Sequence, residues 1–462
     1  MSIFNSDFRL GEITRILKDV KGSVRFIGIL GSGMYPLARL LLGRGYFVSG
    51  YDRDFARVKA DAISGMVICP HTEIDLTDVS LAVYSLAIDE SDPEIEAIRA
   101  LGIPLISRAQ LLGALMSEAK MSISVSGSHG KSTTTAIIER IFTAAEKRYT
   151  AVSGATLSSG ESFVDGGEDI FLAEACEYKD SFLRLCPTHQ IITSVELDHT
   201  DYFASLDDIR ASFLKAAERA EVAIINRDDE VSATIIDELT ARGKGPITYG
   251  KDSAADYRLG GIERAGELTR FTVSHAGETI RLSTSLIGEY NLYNITAALA
   301  IAHTLGIEEK AITDAVSGFR PIDRRLSHIS DFDGVPILYD YAHHPTELDA
   351  VITALKERYG SVTVIFRPHT YSRTASLWKD FVSALCKADF TILLDIYPAR
   401  EKAIDGITSQ NLAKFITGSV VAAEDDAAKI ALSHPSGVIA LLGAGDVERV
   451  KGDLVALSKK HR

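Results

Sequence analysis

Short apolar runs alternate with amphipathic stretches along most of the chain, and this alternation predicts an α/β fold. The first example opens with VRFIGI from Val24, continues through the helical pattern MYPLARLLLGRG and closes with YFVSGYD at Asp52. Strand, helix and strand in this order form one βαβ unit. Three further apolar runs follow before residue 118. The first block, residues 1–118, therefore predicts an N-terminal Rossmann-like domain with a parallel sheet.

A second block, residues 119–321, is organised around a glycine loop. The strand SISVS from Ser122 runs into GSHGKSTTT, and apolar residues at helical spacing follow it. Three later strands, within FLAEACEY, QIITSVELDH and VAIINRDD, carry acidic or His residues at their carboxyl ends, where α/β sheets bind ligands. The alternating polar stretch from Asp256 to Leu286 predicts an antiparallel insertion before the helix NLYNITAALAIAHTLGI.

The third block, residues 322–462, again alternates strand with helix, from VPILYD to VIALLGAGD. It predicts a C-terminal Rossmann-like domain. The whole chain is therefore expected to form three α/β domains.

Composition and charge narrow the classes of function. The 462 residues are 46% hydrophobic and 24% charged, as in soluble globular proteins. The 49 Lys and Arg against 63 Asp and Glu give a net charge of -14, which repels a phosphate backbone, so nucleic acid is not an expected partner. Four cysteines without a CxxC pair indicate a reducing compartment. Since no apolar run approaches the roughly 20 residues that span a bilayer, we expect a cytoplasmic protein without membrane insertion.

The glycine loop predicts a nucleotide phosphate site. Its backbone N–H groups and the following helix N-terminus favour anions, Lys131 can reach the β- and γ-phosphates, and Ser132 can ligate Mg²⁺. The loop is a shortened form, because Val125 stands where the usual phosphate loop has a glycine. A glycine turn with a surface lysine is the structural alternative, but the order of strand, loop and helix favours a P-loop-type ATPase sheet.

Glu174 and His199 follow two apolar runs of the second block. Taken separately, Glu174 is better explained as a solvated strand end and His199 as a hydrogen-bonded side chain than as catalytic residues. Beside a phosphate loop at one sheet edge, they could hold a metal ion, because Mg²⁺ takes carboxylate, hydroxyl and phosphate oxygens.

Loops in the first and third blocks offer further anion sites. GILGSGM, with Asp52 after the next strand, could cradle a pyrophosphate near a ribose. Because its glycine spacing is not GxGxxG, the loop does not favour a nicotinamide dinucleotide over another nucleotide diphosphate. A nicotinamide-dependent dehydrogenase would also leave the glycine loop of the second block unexplained. In the third block, YDYAHHP and RPHTYSRT place three His, three Tyr and two Arg after strands, which suits carboxylate recognition. A zinc site is the rival, but no HExxH occurs and no cysteine is near.

In their order along the chain, these motifs resemble the Mur ligase family of bacterial peptidoglycan synthesis. The resemblance covers nearly the whole chain and rests on FIGxxGSGM, HGKSTTT, RRL, DYAHHPTE, PHxYSRT, DIYPAxE and LLGAGD. It implies that the N-terminal domain binds a UDP-sugar, the central domain binds ATP and Mg²⁺, and the C-terminal domain binds an amino acid.

The activity that the resemblance implies is an ATP-dependent carboxylate–amine ligation. ATP would phosphorylate the carboxylate of UDP-N-acetylmuramate, and the amine of L-alanine or a similar small amino acid would displace phosphate from the acyl phosphate. Two alternatives are a murein-recycling ligase that adds a tripeptide to the same sugar nucleotide, and a non-catalytic nucleotide-binding paralogue. The expected partners are small molecules, and a monomer or weak homodimer is expected.

The resemblance also implies roles for individual residues. Catalytic roles fall on Lys131, Glu174, His199, His343 and Arg373, and the metal ligands are Ser132, Glu174 and His199. The residues expected to bind ATP are Gly127, Ser128, His129, Gly130, Lys131, Ser132, Thr133, Asn291, Asn294 and Arg325. Those expected to bind the sugar nucleotide or the acceptor are Gly31, Ser32, Gly33, Met34, Asp52, Ser85, Arg108, Tyr341, His343, His369 and Arg373.

Several positions depart from the family pattern. Ser132 stands for the commoner Thr and keeps the hydroxyl, so the ATP chemistry should be retained. EACEYKDSF stands for the usual EADESDxSF, and the single replacements are Leu30 for Gly, Ser194 for Asn, Tyr290 for His, Tyr339 for Asp and Thr370 for Arg. Because the last two lie in the acceptor loops, the identity of the amino acid is the part of the prediction that the sequence leaves open.

Overall fold

The computed structural model describes residues 9–53, 65–69, 74–399, 401–434, 436–445 and 447–460. Arg400 and Asp446, which belong to two of the motifs above, lie outside these ranges. The described residues form three β-sheets with helices, so the predicted α/β class is confirmed. They divide into two compact units, made of Met1–Ala265, Arg270–Ser283 and Tyr293–Gly318, and of Gly266–Thr269, Thr284–Leu292 and Phe319–Arg462.

The first sheet of the first unit is parallel throughout, in the order β3-β2-β1-β4-β5. The order reverses direction between β1 and β4, and this switch point opens a crevice at the carboxyl ends of the strands. The strands are β1 (Ser23–Ile27), β2 (Phe47–Tyr51), β3 (Val67–Cys69), β4 (Val79–Tyr84) and β5 (Leu105–Ser107), and the helices are α1 (Leu10–Lys18), α2 (Tyr35–Gly43), α3 (Pro93–Ala100) and α4 (Arg108–Met116).

The second sheet has ten strands in the order β15-β14-β13-β12-β11-β10-β6-β9-β7-β8. Its strands are β6 (Met121–Ser126), β7 (Tyr149–Val152), β8 (Phe163–Asp165), β9 (Ile170–Glu174), β10 (His189–Ile192), β11 (Val222–Asn226), β12 (Ile247–Gly250), β13 (Tyr257–Ala265), β14 (Leu268–His275) and β15 (Glu278–Thr284). The helices are α5 (Lys131–Ala144), α6 (Leu206–Arg219), α7 (Glu230–Ala241), α8 (Tyr290–Thr304) and α9 (Glu309–Gly318). β6 lies between β10 and β9, so three carboxyl ends meet there.

The last three strands of this sheet confirm the predicted insertion. β13, β14 and β15 are joined by two-residue connections, which permit only antiparallel pairing. One strand is shorter than predicted, because β10 ends at Ile192 and His199 lies beyond it in an irregular segment.

The third sheet belongs to the second unit, in the order β16-β17-β21-β18-β19-β20. β16 pairs antiparallel with β17, and the other pairs are parallel. The strands are β16 (Ser327–Phe332), β17 (Val335–Asp340), β18 (Val362–Arg367), β19 (Phe390–Leu393), β20 (Ser419–Val421) and β21 (Val438–Gly443). The helices are α10 (Pro345–Tyr359), α11 (Tyr371–Ser376), α12 (Trp378–Leu385), α13 (Ser409–Ala413), α14 (Glu424–Ser433) and α15 (Glu448–Lys460).

The central strands are apolar without alternation because helices cover both faces of a parallel sheet. β18 and β21 are buried at every residue. Helix starts are fixed locally, as at α3, where the Asp92 side chain accepts from the Glu94 N–H. Among the described helices, none combines the length and hydrophobicity that crossing a membrane requires.

Candidate active site

The loop between β6 and α5 is built on two glycines whose backbone conformations and close neighbours disfavour any side chain. Gly127 has a φ of 138° and Gly130 a φ of 82°. A Cβ on Gly127 would lie 1.9 Å from the Thr193 hydroxyl, and one on Gly130 would lie 2.5 Å from Oδ1 of Asn294. The loop is thus packed tightly between the end of β10 and helix α8.

Two backbone N–H groups of this loop, those of Ser128 and His129, are already hydrogen-bonded within the protein. We expected the N–H groups of the loop to be free for phosphate, but the Ser128 N–H donates to the Ser194 carbonyl (2.9 Å) and the His129 N–H donates to the Ser194 hydroxyl (3.1 Å). The expectation is wrong for these two groups because the segment after β10 passes beside the loop. Ser132 and Thr133 lie in the first turn of α5. The N–H groups of a first turn have no earlier turn of the helix whose carbonyls could accept from them. Those N–H groups are the ones suited to an anion.

Lys131, the first residue of α5, is held by four oxygens. Its Nζ lies 2.5 Å from the Gly127 carbonyl, 3.2 Å from the Ser128 carbonyl and 3.1 Å from each carboxylate oxygen of Glu177. Burial would lower the pKa of Lys131, but Glu177 reverses this and the pKa is raised. Lys131 is therefore a fixed positive charge beside the phosphate loop.

Glu177 is the functional residue that the sequence reasoning missed. It is 1% exposed, and burial alone would raise its pKa, but Lys131 and then His199 hold that pKa below its usual value. The sequence signal was the second glutamate of EACEY, placed just after the end of β9. It was overlooked because Glu177 and Lys131 are 46 positions apart in sequence.

Ser132 and Glu174 form the oxygen pair predicted for a metal ion. The Ser132 hydroxyl donates to Oε1 of Glu174 at 3.1 Å, and Oε2 accepts from the Ser153 hydroxyl (2.8 Å) and the Gly154 N–H (3.1 Å). Neighbouring ligands in an octahedron with Mg–O bonds of about 2.1 Å are about 3 Å apart. The spacing and the oxygen chemistry of this pair thus fit Mg²⁺.

His199 reaches the same region from the irregular segment after β10. It has a φ of 54°, and its Nε2 lies 3.7 Å from Oε1 of Glu177. The ring of Tyr178 lies against it, with centroids 4.8 Å apart, and the Tyr178 hydroxyl donates to Asp201 at 2.8 Å. Glu177 therefore connects His199 to Lys131, while Tyr178 fixes the orientation of the imidazole.

The GILGSGM loop follows β1 and lies at the switch point of the first sheet. The predicted residues form a tight turn, in which the Gly31 N–H bonds to the Gly28 carbonyl and the Met34 N–H bonds to the Gly31 carbonyl. Asp52 accepts from the Leu30 N–H at 2.9 Å, so its carboxylate shapes this loop.

Two more predicted residues lie at neighbouring strand ends. Arg108 begins α4 and lies so close to Gly33 that a Cβ there would be 3.0 Å from its Nη1. Ser85 follows β4, and its hydroxyl accepts from the Ala87 N–H at 3.3 Å. The structure thus brings Arg108 to the glycine loop containing Ser32 and places Ser85 at the carboxyl end of the adjacent strand.

In the second unit, a carboxylate organises the residues of the YAHHPTE motif. Glu347, in the first turn of α10, accepts from the N–H groups of His343 (3.0 Å) and His344 (3.3 Å). Its Oε1 lies 4.0 Å from Arg325, whose guanidinium lies over the Tyr341 ring at 5.9 Å. The role of Glu347 was not predicted, although HPTE is a recognisable helix-capping pattern.

The rings predicted to bind the acceptor form a row in the same unit. Tyr341 and His343 have centroids 5.3 Å apart, His343 and His369 are 5.9 Å apart, and His369 stacks on Tyr397 at 5.6 Å. Arg373 lies in α11, whose first turn is capped by the Thr370 hydroxyl. Tyr397 is an addition from the DIYP motif that the prediction had not assigned.

Thr370 and Glu401 define the start of α11. Thr370 has a φ of 67°, which is strained for a β-branched residue. Glu401 accepts from the N–H of Ser372 at 2.8 Å and from the hydroxyl of Ser372. These bonds hold the start of α11 in place and so help to keep Thr370 in its strained conformation.

The two predicted asparagines lie on α8. Asn291 donates to the Ile287 carbonyl at 2.8 Å, and Asn294 accepts from Thr134 of α5 at 3.2 Å. Asn294 thus contacts the phosphate-loop helix, and Asn291 is held at the start of its own helix.

Comparison with known proteins defines the class to which this fold and site belong. Three family models match the chain: "Mur ligase family, catalytic domain" over residues 23–120, "Mur ligase middle domain" over residues 125–302 and "Mur ligase, glutamate ligase domain" over residues 324–445. The chain belongs to the Mur ligase family, and the resemblance deduced from its motifs is confirmed.

Individual relatives specify the similarity further. The chain is similar to a UDP-N-acetylmuramate–L-alanine ligase of Caldicellulosiruptor bescii, with 35% identity over 92% of this chain and 96% of the relative. It is 38% identical to the enzyme of that name from Agathobacter rectalis, over 84% of this chain and 86% of the relative.

Solved structures share the fold. The UDP-N-acetylmuramate-alanine ligase of Thermotoga maritima superposes with a TM-score of 0.79 at 23% identity, over 96% of this chain and all of that chain (100%). A murein peptide ligase from Psychrobacter arcticus superposes with a TM-score of 0.70 at 21% identity, over 94% of this chain and 98% of that chain.

Proposed function

We propose that this chain is an ATP-dependent ligase that joins the carboxylate of UDP-N-acetylmuramate to L-alanine. The observation that carries the proposal is the grouping of Lys131, Ser132 and Glu174 at one sheet edge, beside a glycine loop with open helix N–H groups. Relatives named for this reaction cover more than four-fifths of the chain. They favour L-alanine over a tripeptide acceptor and catalysis over nucleotide binding alone.

The chemistry needs charge compensation more than a nucleophile from the protein. The substrate carboxylate attacks the γ-phosphorus of ATP, an O–P bond forms, the bond to ADP breaks, and an acyl phosphate results. The amine of L-alanine then attacks the acyl carbon, phosphate leaves, and the amine loses a proton. Lys131 places a partly buried positive charge where phosphate oxygens would lie, and no covalent intermediate on the protein is required.

Mg²⁺ is part of the proposal. Ser132 and Glu174 would hold one ion and His199 would help to hold a second. When bound, Mg²⁺ would neutralise phosphate charge that otherwise repels the attacking carboxylate.

We assign the remaining residues in the same way. We propose domains at residues 1–118, 119–321 and 322–462. We assign the sugar nucleotide to the GILGSGM loop with Arg108, because a guanidinium suits a diphosphate. Tyr341, His343, His369 and Arg373 would receive the amino acid, whose carboxylate needs a cationic partner.

The experiment that tests the function is ADP release from purified protein with UDP-N-acetylmuramate, Mg²⁺ and ATP. The acceptors are L-alanine, L-serine, glycine and a muropeptide tripeptide, and the product is identified by mass spectrometry. We expect turnover with L-alanine and an alanyl product. Turnover with the tripeptide alone would make the chain a recycling ligase, and binding of ATP without turnover on any acceptor would contradict the proposal.

A further inference from the structure

The ammonium of Lys131 has no bonding capacity left in this structure. It has three N–H donors, and four acceptor oxygens lie within 3.2 Å of it, from the carbonyls of Gly127 and Ser128 and from the carboxylate of Glu177. A nucleotide phosphate can therefore bind Lys131 only by displacing one of these acceptors.

Glu177 is the acceptor that can give way. The Gly127 carbonyl is fixed by a backbone conformation that glycine alone adopts readily. The Ser128 carbonyl belongs to a residue held through both its N–H, which bonds to Ser194, and its hydroxyl, which accepts from the Glu196 N–H at 2.8 Å. Glu177 reaches Lys131 through a rotatable side chain, and as an anion it competes directly with phosphate for the same ammonium.

Displacing Glu177 would leave a buried carboxylate without its cation. The side chain is almost fully excluded from solvent, and an unpaired charge in such a place is strongly unfavourable. Within the part of the chain that the structure describes, His199, 3.7 Å away, is the other basic side chain beside it, and we assign His199 itself to a metal ion. A divalent cation that arrives with the nucleotide would restore the balance of charge.

We propose that Glu177 couples nucleotide binding to divalent-cation binding. It holds Lys131 in a resting contact, yields that lysine to the nucleotide phosphate, and then faces the cation together with His199. This inference rests on the proposed ATP site. It adds that Glu177 weakens the binding of nucleotide that carries no metal ion. The consequence is that the enzyme discriminates against nucleotide that lacks its metal ion before any chemistry begins.

The test is calorimetric binding of the non-hydrolysable ATP analogue AMP-PNP to the full chain, in EDTA and in excess Mg²⁺. Glu177→Gln replaces the ion pair with Lys131 by a hydrogen bond from the ammonium to an uncharged amide oxygen, a weakening that we expect to correspond to about tenfold in affinity. We expect this variant to bind metal-free AMP-PNP about tenfold more tightly than the unmodified protein and to gain about tenfold less from Mg²⁺. Glu139→Gln is the matched control, because Glu139 is a buried carboxylate of α5 that bonds to Tyr149 and Ser158.

A second variant covers the case in which Glu177→Gln does not fold. Glu177→Asp withdraws the carboxylate from Lys131 but keeps its charge, so metal-free binding should tighten while the gain from Mg²⁺ is retained. An equal change of affinity with and without Mg²⁺ in Glu177→Gln would overturn the coupling and leave the ATP site intact. Failure of the unmodified protein to bind AMP-PNP under either condition would overturn the ATP site, and the coupling with it.

Discussion

The Ser132 hydroxyl is the smallest group on which the proposed metal site depends. It is 4% exposed and bonds directly to Glu174. Ser132→Thr keeps the hydroxyl, so we expect activity within about threefold of the unmodified protein. Ser132→Ala removes one proposed Mg²⁺ ligand. Loss of a hydrogen-bond partner of a metal ligand already weakens metal affinity by about 10–100-fold, so we expect at least that loss when a ligand itself is removed. The Mg²⁺ concentration for half-maximal ADP release measures the effect, and an unchanged value in Ser132→Ala would show that the ion binds elsewhere.

Glu347 organises the backbone at the proposed acceptor site. It holds the backbone of His343 and His344 and lies beside Arg325. Glu347→Ala should lower kcat/KM for L-alanine by about tenfold or more, because His343 loses its fixed position, while Glu347→Gln should recover part of the loss through its amide oxygen. Steady-state kinetics at saturating ATP give the comparison. Glu357→Ala, an exposed position on the same helix, is the control, and an equal loss there would indicate a general effect on α10.

At the scale of elements, Asp340 connects the end of β17 to the RRL segment. Its carboxylate accepts from the Leu326 N–H and the Ala342 N–H, both at 2.8 Å. Burial, opposed by Arg325 and assisted by Glu347, raises the pKa of Asp340 from 3.8 to about 6. A raised pKa means that the folded state binds the proton more tightly, so this stabilisation is complete below pH 3.8 and is lost as the pH rises through about 6.

Asp340→Asn should remove that pH dependence. Between about pH 4 and pH 6, the unmodified protein should lose up to roughly 3 kcal/mol of unfolding free energy relative to the variant. Urea unfolding at a series of pH values measures both curves. Parallel curves across this range would show that Asp340 titrates normally in the folded protein.

The ion pair of Arg25 and Glu94 joins β1 to α3 inside the first sheet's core. The two groups are 2.6 Å apart and are 2% and 0% exposed. Glu94→Ala leaves a buried guanidinium unpaired, which we expect to destabilise the protein by about 3–5 kcal/mol. The double variant Arg25→Met with Glu94→Leu should be clearly more stable than the single one. Thermal unfolding of the three proteins decides this, and a double variant no better than Glu94→Ala would show that the pair is itself a net stabiliser.

Elements were more predictable than contacts. The apolar runs of β1, β6, β17 and β18 and the glycine loop are local patterns, so the sequence located them correctly. β10 was predicted too long because VEL continues its apolar pattern, although the chain there turns past the phosphate loop. Glu177 and Tyr397 were missed for another reason, since each acts through a partner distant in sequence, Lys131 and His369 respectively, and no local pattern encodes such a pairing.

At the scale of the whole molecule, we expect the fold to be independent of the proposed metal ion. Strands and helices supply most residues of the described hydrophobic clusters. Ser132 donates to Glu174, and Glu174 accepts from Ser153 and Gly154. A chain of this size buries enough apolar surface to fold without a metal ion, unlike small domains that are unfolded without it.

Removal of divalent cations should therefore abolish ADP release without unfolding the chain. We expect EDTA to eliminate turnover, to change the melting temperature by no more than about 1 °C, a shift that corresponds to about 1 kcal/mol in a chain of this size, and to leave the circular dichroism spectrum unchanged. Added Mg²⁺ should restore activity at once, because no refolding is needed. A large fall in melting temperature on chelation, reversed by Mg²⁺, would instead mean that the ion holds elements together, and the expected independence of the fold from the ion would be wrong.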